Sequence, residues 1–345
     1  MLDRNLRTRY SRQTMFPGIG EDGQEKLVNG RVIVIGCGAL GGNIATFLVR
    51  AGIGDITIVD RDFIEEHNLQ RQVLFDEEDI RAKLPKAIAA ERRLKTINST
   101  VKIRGIVADT NVTNIEDLCR GADVILDGLD NAGTRYLIND VSLKLGIPWV
   151  YGGAIAANGM TMTIIPGETP CFRCISPPEL TLETTATCET VGVIGTAPAV
   201  IAAIQATEAM KLLIDKSTIN RDLLLIDVWR NVFDNIKVSK REGCPACGGA
   251  YEFLDKPLAE KVTSLCGQSR SMQVLDPAVP AIDLDVLAER LKGKTENIER
   301  TEYLLSFTVG EQELLVFPDA RAIIKNTVDE AQASELYDTF VRKLG

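Results

Sequence analysis

Apolar positions along the chain fall into short runs separated by amphipathic stretches. RVIVIG (31–36), DITIVD (55–60), VKIRGIV (101–107) and ADVILDG (122–128) are brief and rich in β-branched residues. Such runs mark strands buried on both faces. Between them the spacing turns helical. GCGALGGN opens an apolar helix that continues to about Gly52, and LPKAIAAERRLKTIN (84–98) has one apolar face, with Pro85 in its first turn. TRYLINDVSLKLG (134–146) reads as a helix closed by Gly146. IPWVYGGAIA and MTMTIIPG (147–167) are two further strands, and residues 1–30 are polar and helical. The β-α-β-α order predicts an α/β fold: a Rossmann-like, doubly wound, mostly parallel sheet with right-handed crossovers.

Past Gly167 the pattern changes. Residues 168–195 hold prolines, cysteines and threonines with no clear period, which predicts a long loop, and long loops are usually functional. APAVIAAIQATEAMKLLI (197–214) is a strongly apolar helix, and DLLLIDVW and VFDNIKV (222–238) are paired strands. After about Leu254 a separate pattern begins: a helix at 282–293, three strands within 302–326 and a closing helix at 330–345. The expected organisation is a larger α/β domain over 1–250, with 1–30 as its helical N-terminal segment, and a small α+β domain over 255–345.

Length and charge narrow the function. The chain has 345 residues, which allows about two domains. Its 39 basic and 48 acidic side chains give a net charge of −9, the wrong sign for a nucleic-acid or membrane-surface binder. His67 is the one histidine, so His-rich metal sites are excluded and His-based acid–base chemistry is a poor fit. The N-terminal residues lack the apolar stretch of a signal peptide, and no run of about 18 apolar residues predicts a membrane span, so a cytoplasmic protein is expected. In that compartment eight cysteines stay reduced, which favours metal binding or catalysis over disulfides.

GCGALG (36–41) places Gly36, Gly38 and Gly41 between a strand and a helix, in the G-x-G-x-x-G arrangement that brings a phosphate to a helix N-terminus. Asp60 ends the next strand, where a carboxylate reaches ribose hydroxyls. Asn68 and Arg71 follow it, Lys86 opens the next helix, and Asp130 lies past the fourth strand in DGLDN. Each alone reads as a solvated surface residue, but the topology brings all of them to the C-terminal edge of one sheet. A dehydrogenase has no need of Lys, Arg and a second Asp beside the phosphates. Attack at the α-phosphate of ATP does need them: pyrophosphate must leave, its charge must be neutralised, and an Asp can hold Mg²⁺.

CFRC (171–174) and CPAC (244–247) are two C-x-x-C turns. Cys171, Cys174, Cys244 and Cys247 suit a closed, tetrahedral and therefore structural Zn²⁺ site. Unmetallated thiols or a redox pair are the alternative. Cys188, in ATCETVGVIG, sits in an irregular segment where a thiolate could accept an acyl group or a persulfide sulfur, or be an inert thiol. Cys266 is a second loose thiol, and Cys37 and Cys119 read as core or turn thiols.

RYSRQ (9–13), GCGALG, DxDxxExxNLQRQ (60–72), Pro85-Lys86 and DN-x-x-T-R (130–135), in that order, resemble the ThiF/MoeB/HesA-type adenylyltransferases of the ubiquitin-activating superfamily. The resemblance covers about residues 5–250 and includes the two cysteine knuckles. RAKLPK departs from it by two extra residues before the Pro-Lys pair. The resemblance implies a homodimer in which Arg12 reaches the neighbouring subunit's ATP. It also implies ribose binding by Asp60, phosphate contacts from Asn68, Arg71 and Lys86, and Mg²⁺ at Asp130. It places Cys188 at a nucleophile or sulfur-relay position. The implied activity is ATP-dependent adenylation of the C-terminal glycine of a ubiquitin-like sulfur-carrier protein, in thiamine, molybdopterin or related sulfur transfer. Two rivals stand beside it: an NAD-dependent oxidoreductase on the same fold, and a non-catalytic carrier-binding protein.

Overall fold

The computed structural model describes residues 2–178, 191–257, 261–264, 270–279 and 281–345. The chain divides into two compact units, Met1–Lys256 and Pro257–Gly345.

In the first unit three polar helices, α1 (Arg4–Arg9), α2 (Ser11–Thr14) and α3 (Gly20–Asn29), precede β1 (Arg31–Ile35). There follow α4 (Ala39–Ala51), β2 (Asp55–Asp60), α5 (Glu77–Arg81), α6 (Lys86–Ile97), β3 (Lys102–Val107), α7 (Ile115–Cys119), β4 (Val124–Asp127) and α8 (Ala132–Leu145). The unit is completed by β5 (Trp149–Ile155), β6 (Asn158–Ile164), α9 (Phe172–Ile175), α10 (Thr196–Ile214), β7 (Leu223–Asp227) and β8 (Val232–Ile236). The sheet order is β3-β2-β1-β4-β5-β6-β7-β8. Strands β3 to β5 are parallel, as the apolar runs predict. β6 to β8 extend the sheet as an antiparallel wing; short turns join β5 to β6 and β7 to β8, whereas β6 reaches β7 through α9 and α10. Ile33, Ile35, Ile125, Trp149 and Ile164 on the sheet pack with Ile138 and Val141 of α8 in the core.

Two expectations shift. Pro85 is the N-cap of α6, just outside the helix, where its missing N–H costs nothing. The region read as a long loop contains α9, one turn formed by the first cysteine knuckle. Among the described residues α10 is the one helix long and apolar enough to cross a bilayer. It lies on the sheet instead. Its Gln205 is fully buried, and Nε2 donates to the carbonyls of Asp127 (2.9 Å) and Val150 (3.1 Å).

The second unit contains a six-stranded antiparallel sheet, ordered β11-β12-β13-β14-β10-β9. Its strands are β9 (Lys261–Ser264), β10 (Ser271–Leu275), β11 (Glu296–Arg300), β12 (Leu305–Val309), β13 (Gln312–Val316) and β14 (Ala322–Lys325). Helices α11 (Leu284–Leu291) and α12 (Glu330–Tyr337) cover one face, with Leu287, Leu291, Ala333 and Tyr337 packed on Val274, Phe307, Leu314 and Ile324. The sequence pattern showed β12, β13 and β14 and missed the other three.

Candidate active site

The glycine turn is built by close backbone contact. Gly36 has a φ of +89°, which a side chain rarely adopts. A Cβ on Gly41 would lie 1.8 Å from the Gly36 carbonyl oxygen, so α4 can seat this tightly on β1 only with glycine there. Gly38 caps α4, and its Cα faces open space: an added Cβ would meet only Gln72 Nε2, at 3.7 Å. The N-terminus of α4 can therefore receive an anion.

Asp60 is buried at the end of β2, and each carboxylate oxygen accepts a backbone N–H. Oδ2 takes Cys37 N at 2.6 Å, and Oδ1 takes Asp62 N at 2.7 Å. Burial pushes this carboxyl upward while the charge of Lys86 pulls it back. Lys86 is placed by backbone pairing: Phe63 bridges Pro85, and Lys86 N donates to Asp62 O at 2.9 Å. Just ahead of that bridge, within RAKLPK, Lys83 adopts a φ of +48°. Lys86 Nζ meets Asp62 Oδ2 at 3.2 Å. Burial disfavours its charge, but Asp62 and Asp60 outweigh burial and raise its pKa above the usual lysine value. Lys86 is an ammonium at any working pH.

Asn68 is buried in a one-turn helix, where its Oδ1 accepts Glu65 N at 3.1 Å. Arg71 is half-buried and donates through Nη1 to the His67 carbonyl at 2.8 Å. The start of α10 lies against this segment: a Cβ on Gly195 would be 3.1 Å from Gln70 O. Asp130 is exposed, three residues past the end of β4, and its charge is felt by Lys86, Arg61 and Arg135. Gly36, Gly38, Gly41, Asp60, Asn68, Arg71, Lys86 and Asp130 thus share one sheet edge. Cys188 lies outside the described residues, as does Cys266. The chain is described again from Val191, and Val193 pairs with Ala156 in the β5–β6 turn.

Arg12 stands apart from this edge. It is exposed on α2, where its neighbour Gln13 donates to the carbonyl of Ala51 at the far end of α4 (2.9 Å). α4 has 13 residues and spans about 20 Å. Within one chain Arg12 is therefore a helix length from the glycine turn. Cys37 and Cys119 are buried, as read from the sequence; burial pushes the Cys119 thiol up to about 12 and that of Cys37 higher still, so both stay protonated.

Sequence reasoning missed Arg61 and Asp62 as parts of the edge, although Asp62 is the second acid of DxDxxE. Arg61 is fixed by Asp109 at 2.6 Å and lies 3.7 Å from Asp62. It also missed a buried pair. Asp127, the first acid of DGLDN, accepts Arg135 Nε at 2.9 Å and Leu129 N at 2.9 Å. Arg135 Nη2 donates to the carbonyls of Leu129 (2.5 Å) and Gly152 (2.8 Å). This pair shapes the loop that carries Asp130.

Among the described residues the four knuckle cysteines are the one such group that could share a metal ion. Their sulfurs are 3.7 Å apart for Cys171–Cys174, 3.6 Å for Cys171–Cys244 and 3.6 Å for Cys174–Cys247. Four thiolates around a tetrahedral ion with bonds of about 2.3 Å would be about 3.8 Å apart, so the donor set fits. Arg241 N donates to Cys174 Sγ at 3.4 Å.

A glycine turn at a helix N-terminus, with an acid after β2 and a buried lysine beside it, defines an α/β nucleotide-binding protein. The chain belongs to the ThiF family, whose profile matches residues 10–246. It is 39% identical over 336 residues to the sulfur carrier protein ThiS adenylyltransferase of Bacillus subtilis (strain 168), covering 96% of this chain and 99% of that one. It is 37% identical to the SAMP-activating enzyme E1 of Haloferax volcanii over 72% of this chain and 91% of that one. E. coli MccB, solved with ATP, shares the fold at a TM-score of 0.62 and 22% identity, covering 71% of this chain and 74% of that one.

Asp127 is fully buried and Arg135 nearly so, so removing one partner strands a charge. Arg135→Met should lower unfolding stability by about 3–5 kcal/mol. Adding Asp127→Asn should recover part of that loss. Urea midpoints of the two variants and the wild type check both statements.

Proposed function

We propose that this ThiF-family adenylyltransferase uses ATP to adenylate the C-terminal glycine carboxylate of a ubiquitin-like sulfur-carrier protein. The activated carrier then serves sulfur transfer to thiamine, molybdopterin or a related product. The observation that carries this reading is the cluster around the glycine turn, retained in a chain that matches a sulfur-carrier adenylyltransferase along nearly its whole length. The carrier carboxylate attacks the α-phosphorus, and pyrophosphate leaves with the electron pair of the broken P–O bond. The α4 N-terminus with Gly36, Gly38 and Gly41 seats the phosphates, and Asp60 holds the ribose. Asn68, Arg71 and Lys86 take up the charge of the departing pyrophosphate. Asp130 would hold Mg²⁺, which neutralises phosphate charge when bound. Cys188 is the candidate nucleophile or sulfur relay.

The active form in this reading is a homodimer. Arg12 lies a helix length from its own glycine turn, beside the exposed Met15 and Phe16, which suits a residue delivered to a second subunit's site. The four cysteines hold a structural Zn²⁺, closed to substrate. The protein acts in the cytoplasm, without nucleic acid or membrane.

Carrier-dependent ATP–pyrophosphate exchange tests the activity directly, and NADH absorbance under the same conditions tests the oxidoreductase alternative. Asp130→Ala should lower exchange by at least about 100-fold, several kcal/mol in the transition state, with the thermal midpoint unchanged. Exchange near the wild-type rate removes Asp130 from the reaction. Arg12→Ala should be equally inactive alone. Mixed with Asp130→Ala under conditions of subunit exchange, it should regain up to about a quarter of wild-type activity, since half the dimers are mixed and each has one whole site. No recovery despite proven exchange rules out a shared site.

For the metal, elemental analysis of freshly purified protein should find one zinc per chain. Cys174→Ser leaves three thiolates and an open position, so zinc content and thermal stability should fall together, while ATP affinity changes less. Wild-type protein without zinc would return the knuckles to a redox role.

A further inference from the structure

Gln72 holds a carboxamide that the reaction scheme above leaves unused. Its side chain is 5% exposed, and its Oε1 is buried without a hydrogen-bond partner. Buried amide groups left in this condition are uncommon and costly. The backbone beneath it is fixed: Gln72 N donates to Asn68 O at 2.9 Å, and Phe75 N donates to Gln72 O at 3.2 Å. The amide nitrogen faces the glycine turn, being the single atom a Cβ on Gly38 would meet. Gly38 is the cap of α4, where the free N–H groups and the helix dipole converge. The amide nitrogen of a buried side chain, a helix N-terminus and an open glycine thus face the same space.

We propose that Gln72 is a catalytic residue that contacts the α-phosphoryl group during adenyl transfer, its Nε2 donating to a non-bridging oxygen seated over Gly38. This rests on the ATP-dependent adenylation proposed above. The bond forming is from the carrier carboxylate oxygen to the α-phosphorus, and the bond breaking is from that phosphorus to the pyrophosphate oxygen. The non-bridging oxygens keep their negative charge throughout, and in the crowded transition state that charge needs donors already in place. Lys86 and Arg71 are cations suited to the departing pyrophosphate. A neutral amide suits the α-position differently: it stabilises the oxygen without pairing with the incoming carboxylate.

Two variants of the full-length protein test this, with carrier-dependent exchange, equilibrium ATP binding and thermal midpoint as readouts. Gln72→Met keeps the volume and removes the donor. It should lower kcat by about 100-fold, with ATP affinity within about threefold of wild type and the thermal midpoint retained. Gln72→Glu puts a carboxylate toward the phosphate at pH 8 and a donating carboxyl at lower pH. Its activity relative to wild type should rise as the pH is lowered from 8 to 5.5, a limb the wild type lacks. Wild-type kcat in Gln72→Met overturns the assignment while leaving adenylation intact. So does an equal loss in both variants at every pH together with a lowered thermal midpoint, which marks a structural role. A wild-type protein with no exchange activity removes the adenylation reading and this proposal with it.

Discussion

The site is organised by one buried carboxylate. Asp60 accepts Cys37 N from the glycine turn and Asp62 N from the segment after β2, so a single side chain fixes both loops. Asp62 in turn holds Lys86 through its carbonyl and its carboxylate. Burying an unpaired carboxylate is costly, and here the cost is offset by two short backbone bonds and a nearby ammonium. The arrangement also keeps Lys86 charged and aimed before nucleotide arrives. Preorganisation of this kind removes reorganisation from the chemical step.

A second support runs through α8. Asn131 caps the helix next to Asp130, accepting Thr134 N at 2.9 Å. Two turns on, Asn139 Oδ1 accepts Phe172 N at 2.8 Å within the first knuckle, and Asp140 Oδ2 accepts Phe253 N at 2.9 Å beyond the second. Both residues are fully buried. One rigid helix therefore carries the Asp130 loop at one end and anchors the segments around the four-cysteine cluster along its length. Arg173, between two of the cysteines, is buried with its guanidinium on Glu252 and over the Phe253 ring.

Much of this was legible in the sequence because parallel strands buried on both faces leave uninterrupted apolar runs. The glycine turn and Asp60 sit at the ends of such runs, so topology alone brought them together, and Lys86 opens α6, which lies between β2 and β3 in the chain. What escaped had no such signal. β11 reads ENIER and is almost wholly polar, as suits an exposed edge strand. Asp127 and Arg135 each lay within a stretch singled out from the sequence, but nothing local shows that the two side chains are buried and paired. The position of Arg12 depends on where α2 docks, through Gln13 onto the end of α4, and no periodicity encodes that docking. The two knuckles were visible as motifs, but their meeting needed the strand order that brings β6 beside β7.

The glycines differ in what could replace them. A Cβ on Gly36 would press on the Gly128 carbonyl at 2.7 Å, and one on Gly128 would press on the Gly36 carbonyl at 2.1 Å. These are backbone atoms from different segments, and no second substitution can move them aside. A Cβ on Gly152 would instead meet the carboxamide of Gln205 at 2.4 Å, the far end of a side chain. A shorter residue at 205 would vacate that space. Gly36 and Gly128 are thus closed to sequence drift, whereas Gly152 and Gln205 form a pair able to change only in concert, so that compensated exchange in the lineage should fall at that pair and not at the turn.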